Sequence, residues 1–145
     1  MFMNLAHRGA SAYAPENTLA AFYKGVEMGA NGIETDLRRT RDGVIVLFHD
    51  RDLNRKTNGK GRLSDYTWEE LRQLDAGSWF SDTYAGERLV SLDEFLYFFG
   101  RKNLIIVLEL KETSFEEQVL QMLNRYGIAG KVTITSKIQE SLAKI

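Results

Sequence analysis

An α/β fold with a mostly parallel sheet is predicted by three features of the chain. Short β-rich runs alternate with amphipathic helices, three of those helices open with a capping signature, and one run, NLIIVLEL (103–110), is almost continuously apolar. A strand covered on both faces reads as an unbroken hydrophobic run rather than an alternating one.

MNLA (3–6) reads as the first strand. A loop holding the single proline, Pro15, leads into a helix over 17–28, with Asn17 as N-cap and Gly29 just past its end. GIETD (32–36) and VIVLFH (44–49) are strands joined by a turn at Asp42-Gly43. TWEELRQL, SLDEFLYFF and SFEEQVLQML each begin with Ser or Thr followed three residues later by Glu, the capping-box pattern. In the last of them Phe115, Val119, Met122 and Tyr126 share one stripe, and Gly127 closes the helix. VTITS (132–136) is a fifth strand, and IQESLAKI (138–145) begins a helix with Ile138, Leu142 and Ile145 on one side. Five strands in 145 residues fit either a compact open α/β sheet or the front of a closed (β/α)8 barrel, which needs roughly 250 residues.

Composition narrows the function classes. Hydrophobic residues at 43% and charged residues at 27% describe a globular chain with a core and exclude disorder. A net charge of -1 provides no basic field for nucleic acid, and the absence of cysteine removes disulfides, thiolate zinc sites and cysteine nucleophiles. No apolar run approaches the ~20 residues of a membrane span. The start, MFMNLAHRGASAYAPENT, lacks the basic and apolar regions of a secretory signal, so a cytoplasmic location is expected.

Ionisable residues collect at strand ends, where parallel α/β folds bind ligands. His7 and Arg8 follow the first strand, Glu34 and Asp36 end the second, His49 and Asp50 the third, and Glu109 and Lys111 the fourth. A lone histidine after a strand is more often structural than catalytic, and Glu-x-Asp usually marks a solvated edge. Glu109, however, follows LIIVL, a run too apolar for such an edge. Buried carboxylates are paired or bind metal, and three of them, Glu34, Asp36 and Glu109, suit one hard divalent cation, Mg²⁺ or Ca²⁺. In a two-residue hairpin at Asp42-Gly43 positions summing to 85 face each other, which sets Asp36 opposite His49. Two histidines, a cation, Arg8 and Lys111 suit a phosphodiester: one histidine removes a proton from the nucleophile and the other protonates the leaving alkoxide.

AHRGAS…PENTLAAF, GIETDLRRTRDGVIVLFHD, VSLDEFL and LELK, in this order, closely resemble the glycerophosphodiester phosphodiesterase family, from His7 to about Ile145. The resemblance implies a TIM (β/α)8-barrel, metal-dependent hydrolase that splits glycerophosphodiesters into sn-glycerol 3-phosphate and an alcohol such as choline or ethanolamine. It implies His7 and His49 as acid/base catalysts, Glu34, Asp36 and Glu109 as metal ligands, and Arg8 and Lys111 as phosphate contacts. Glu16 and Asn17 would support the His7 loop and cap the helix. The segment 51–90 matches the family's insertion, which helps cover the glycerol side of the substrate.

Two departures accompany the resemblance. Family members continue for another three strands, and Ser136-Lys137 stands where they usually read Ser-Phe. The chain, 1–145, is thus expected to be a partial domain with about the first five strands of an incomplete barrel, whose exposed edges favour self-association. Alternatives are a fragment that binds a cation or phosphate without turnover, an open-sheet phosphate-binding module, and a lysophospholipase D in which Trp79, Phe80 and Tyr84 of the insertion meet an acyl chain.

Overall fold

A computed structural model describes residues 4–136. The helix expected over 138–145 and the Lys137 departure lie outside the described residues. The sheet is built on strand β2 (Gly32–Arg39). Strand β1 (Leu5–His7) runs parallel along one edge of its first half, pairing Ala6 with Ile33 and His7 with Glu34. Strand β5 (Ile105–Leu110) runs parallel along the other edge, pairing Glu34 with Val107 and Asp36 with Glu109. Strand β6 (Val132–Ser136) continues the parallel set beside β5.

The far end of β2 carries an antiparallel extension. Strand β3 (Ile45–Leu47) pairs with it over 37–39, and a short strand β4 (Val90–Ser91) pairs with β3. The described sheet is therefore open and mixed, with six strands rather than the five expected. VIVLFH runs antiparallel to β2, as a hairpin turn at Asp42-Gly43 requires, and two-residue β4 carries too little pattern to read from sequence. The hairpin register also differs from expectation. Thr40 N–H donates to Val44 O, which leaves a three-residue loop, Arg41-Asp42-Gly43. Gly43 takes φ 87, the left-handed position that closes such loops. Facing positions then sum to 84, so Asp36 lies opposite Phe48, whose N–H donates to Asp36 O at 3.0 Å.

Helices α1 (Leu19–Glu27), α3 (Leu92–Phe99) and α4 (Glu116–Arg125) cover one sheet face. Phe22, Phe95 and Phe99 interlock there edge-on and stacked, against Ile33, Leu37, Ile106 and Leu108. Gly25 lets α1 approach β1, since a Cβ there would meet the Ala6 methyl at 2.8 Å. β5 does not read as its sequence suggested. Ile106, Leu108 and Leu110 are buried under helices, whereas Ile105, Val107 and Glu109 are half-buried on the opposite face. A second core lies on the outer side of β3, where Val46 and Phe48 meet Leu53, Leu63, Leu71 and Leu89 of the 51–90 segment, which includes helix α2 (Trp68–Leu71). Among the described residues no helix is long and apolar enough to cross a membrane.

Helix starts separate true caps from lookalikes. Thr67 with Glu70 and Ser91 with Glu94 form complete capping boxes. The third expected box fails: Ser114 stands at φ 78, Phe115 is the cap position without a side-chain bond, and Glu116 accepts from the Ser114 N–H instead. Burying Phe115 in the core decides the entry angle. At α1 the cap is Thr18, whose hydroxyl accepts from Ala21 N–H at 3.3 Å, because Asn17 points its amide into the sheet. Ser91→Ala should therefore lower unfolding free energy by about 1 kcal/mol and Ser114→Ala by almost nothing, as checked by urea titration. Equal losses would contradict the assignment.

Candidate active site

The β2–β5 register sets the electrostatics. Residues two apart on a strand share a face, so Glu34 and Asp36 point the same way, and Glu109 sits directly across from Asp36. One oxygen from each of Glu34, Asp36 and Glu109 lies within 4.8 Å of the others. Asp36 is completely buried. Its Oδ2 accepts from the Asn17 amide at 3.1 Å and lies 3.2 Å from Arg8 Nε, and its Oδ1 lies 3.8 Å from Lys111 Nζ. Lys111 also meets Glu109 Oε2 at 2.9 Å.

Two oxygens stay without hydrogen-bond donors: Glu34 Oε1 and Asp36 Oδ1 are buried and unpartnered in that sense. Such atoms want a cation. Oxygens opposed across one ion lie about 4.2 Å apart for Mg²⁺ and about 4.8 Å for Ca²⁺, twice the usual metal–oxygen distances. The donor set fits a hard divalent cation on charge, atom type and spacing. Without one, burial and then the repulsion of Asp36 and Glu109 push the Glu34 carboxyl up to about 7.

The histidines flank this cluster in different ways. His7, the last residue of β1 and not the loop after it, is exposed, with Nε2 3.3 Å from Glu34 Oε2. His49 follows Phe48 on the returning hairpin, and its Nδ1 lies 2.8 Å from Asp50 Oδ1. Asp50 accepts only, so Nδ1 carries the proton and Nε2 the lone pair whenever the ring is neutral. The expected contact between Asp36 and His49 is replaced by the one-residue register difference described above.

Arg8 takes the left-handed conformation, φ 56, and is clamped by its own backbone. Its N–H donates to Glu34 O at 2.7 Å and its carbonyl accepts from Asn17 N–H at 2.9 Å. That strain turns its side chain toward both Asp36 and Glu16. Glu16 also meets Lys56 Nζ at 3.4 Å, and that ammonium sits 3.9 Å from the centroid of the Trp79 ring. Charge therefore alternates from Lys111 through Asp36, Arg8 and Glu16 to Lys56.

Sequence reasoning missed Lys56 and Arg38. Arg38 is buried on the Glu34–Asp36 face and donates to the His49 carbonyl through Nε and Nη2. Continuing the alternation from Glu34 and Asp36 to Arg38 would have found it. Lys56 carries no comparable signal. Asn17 was expected as a cap, and instead it accepts from Thr35 Oγ1 and donates to Asp36. Trp79, Phe80 and Tyr84 form an edge-on ladder, half-buried, with Tyr84 bonded to Tyr13 O.

The Glu34 proton sets a pH dependence. Its carboxyl titrates near 4.5 in the unfolded chain and near 7 in the fold, so the fold holds the proton more tightly. The resulting stability is complete below about 4.5 and is lost as pH rises through about 7. Between about pH 5 and about pH 8 the metal-free protein should lose a few degrees of Tm, and Glu34→Gln should lose less. Thermal melts in EDTA check this, and parallel pH profiles would refute it.

Comparison with known proteins follows the same residues. The profile of the glycerophosphoryl diester phosphodiesterase family matches residues 7–137. A glycerophosphodiester phosphodiesterase of Caldanaerobacter subterraneus subsp. tengcongensis is 39% identical over 97% of this chain and 60% of its own length. The crystal structure of a glycerophosphodiester phosphodiesterase from Agrobacterium tumefaciens superposes with TM-score 0.92 at 35% identity, covering 97% of this chain and 60% of that one. A phosphodiesterase from Oleispira antarctica in complex with the product sn-glycerol-3-phosphate superposes with TM-score 0.89 at 32% identity, over 99% of this chain and 60% of that one. The chain thus spans 60% of the length of each of these relatives. The matched range runs through both histidines, the three carboxylates, Arg8 and Lys111, and the chain belongs to the glycerophosphoryl diester phosphodiesterase family.

Proposed function

We propose that this chain carries the chemical centre of a metal-dependent hydrolase of glycerophosphodiesters, releasing sn-glycerol 3-phosphate and an alcohol. The observation that carries this reading is the three-carboxylate cluster around buried Asp36, with His7 touching one member and Arg8 and Lys111 paired to the others. The product-bound Oleispira relative supports the substrate class.

Glu34, Asp36 and Glu109 would hold one divalent cation, Mg²⁺ or Ca²⁺, which neutralises charge on the phosphoryl group when bound. Arg8 and Lys111 already lie against Asp36 and Glu109, so they are placed to exchange part of that pairing for phosphoryl oxygens. His7 and His49 act as an acid/base pair. One takes the proton of the attacking oxygen and the other gives a proton to the departing alkoxide. Asp50 keeps His49 in the tautomer with a free Nε2 lone pair, suited to either role.

Four parallel strands, β1, β2, β5 and β6, supply half of the eight in a closed barrel, and we assign the fold to that type. The segment 51–90 is an insertion within a single domain. Its attachment through Lys56–Glu16 and Tyr84–Tyr13 supports a role as a wall on the glycerol side. β1 and β6 each pair on one side only among the described residues, which favours self-association through those edges. The same edges, and an exposed His7, favour a second reading: a fragment that binds the cation without turnover.

Hydrolysis of glycerophosphocholine by the 145-residue chain with Mg²⁺ or Ca²⁺ separates the two. The hydrolase reading expects turnover that EDTA abolishes, and a loss of about 10²–10⁴-fold in kcat for His7→Ala and for His49→Ala. Cation binding by calorimetry with no turnover selects the second reading. Turnover that survives EDTA refutes the metal-dependent one.

A further inference from the structure

Arg38 is the one charged residue on the cluster face of β2 that no role above uses. Its side chain is 10% exposed. Nε and Nη2 both donate to the His49 carbonyl, at 3.0 and 2.7 Å, and Nη1 lies 3.6 Å from Glu112 Oε2. Taking a guanidinium out of water is expensive, and apolar residues of similar volume often replace a buried ion pair without loss. Closing a hairpin does not call for that expense. The ladder between β2 and β3 supplies its last bond at Phe48, whose N–H donates to Asp36 O. His49 is the first residue beyond it. Two N–H groups converging on one carbonyl fix the plane of the peptide that joins His49 to Asp50, and Asp50 in turn engages the His49 ring at Nδ1.

We propose that Arg38 is a positioning residue for His49. By clamping the His49 carbonyl it holds the 49–50 peptide in one orientation, and with it the ring and its carboxylate partner as a unit. The fork geometry matters as well as the charge, because Arg presents two donors to one acceptor and Lys presents a single movable ammonium. The catalytic consequence rests on the assignment of His49 as an acid/base group. The clamp itself is a statement about order in the His49 ring and stands apart from turnover.

The chain holds only two histidines, so His7→Gln leaves His49 as the sole source of imidazole signals. In that background, ring ¹³C–¹H and ¹⁵N spectra should show one sharp His49 set for Arg38, and a broadened or split set for Arg38→Met and Arg38→Lys. Arg38→Gln, which keeps an amide donor without a buried charge, should fall between and supplies the measurement where Arg38→Met does not fold. With His7 intact, kcat for glycerophosphocholine should fall about 10–100-fold in Arg38→Met, the scale of a small misplacement of a reacting group. KM and Mg²⁺ affinity should stay within about twofold, because the cluster ligands are not what the clamp holds.

A single sharp His49 set in both Arg38→Met and Arg38→Gln would overturn the proposal. So would a loss of Mg²⁺ affinity matching the loss of kcat, which would route the effect through Asp36 instead. Absence of turnover in the parent chain would refute the acid/base assignment, while the ring spectra would still decide the clamp.

Discussion

Asp36 is a carboxylate with no exposure to water, and much of the molecule is arranged around supplying it with partners there. A buried ion needs donors and opposite charge on several sides. Asn17, Arg8 and Lys111 provide them, and each comes from a different part of the chain. Arg8 reaches Asp36 only by adopting a left-handed backbone just past β1, and Asn17 does the same just before α1. The loop between them is closed by the bond from Asn17 N–H to Arg8 O. Arg8 then shares itself with Glu16, which shares itself with Lys56, so compensating one buried charge also fastens the 51–90 segment to the β1 loop.

Two hydrophobic cores hold this polar seam in place. The helices bury one face of β2, β3 and β5, and the 51–90 segment buries the outer face of β3. Alternation along β3 serves both, with Ile45 and Leu47 turned to the first core and Val46 and Phe48 to the second. The hairpin is locked from both sides, and its last ladder residue, Phe48, delivers the chain to His49.

Where residue type alone dictated position, the chain was legible. Glu-x-Asp on a strand must share a face, and Glu109 after LIIVL could not be a fully solvated edge, so the carboxylate cluster followed from spacing, though Glu109 is only half-buried. What the spacing did not carry was tertiary. A glycine at φ 87 turned a two-residue loop into three and moved Asp36 from His49 to Phe48. Asn17 and Thr18 are both good caps by type, and the Asn17 amide is taken at its oxygen by Thr35 and at its nitrogen by Asp36, which leaves Thr18 to cap. Ser114 lost its box to the burial of Phe115. Lys56 is ordinary in sequence because its partners, Glu16 and Trp79, lie far from it along the chain in opposite directions.

The hairpin has a mechanical side. Glu34, Asp36 and Arg38 are on β2, Glu109 is bolted to β2 by six consecutive residue pairs, and His49 follows the strand that returns antiparallel along β2. His7 belongs to β1, which is joined to β2 by three residue pairs. The ladder that sets His7 beside the carboxylates is thus half the length of the one that sets Glu109 there, and the bond from Arg8 N–H to Glu34 O extends it by one step.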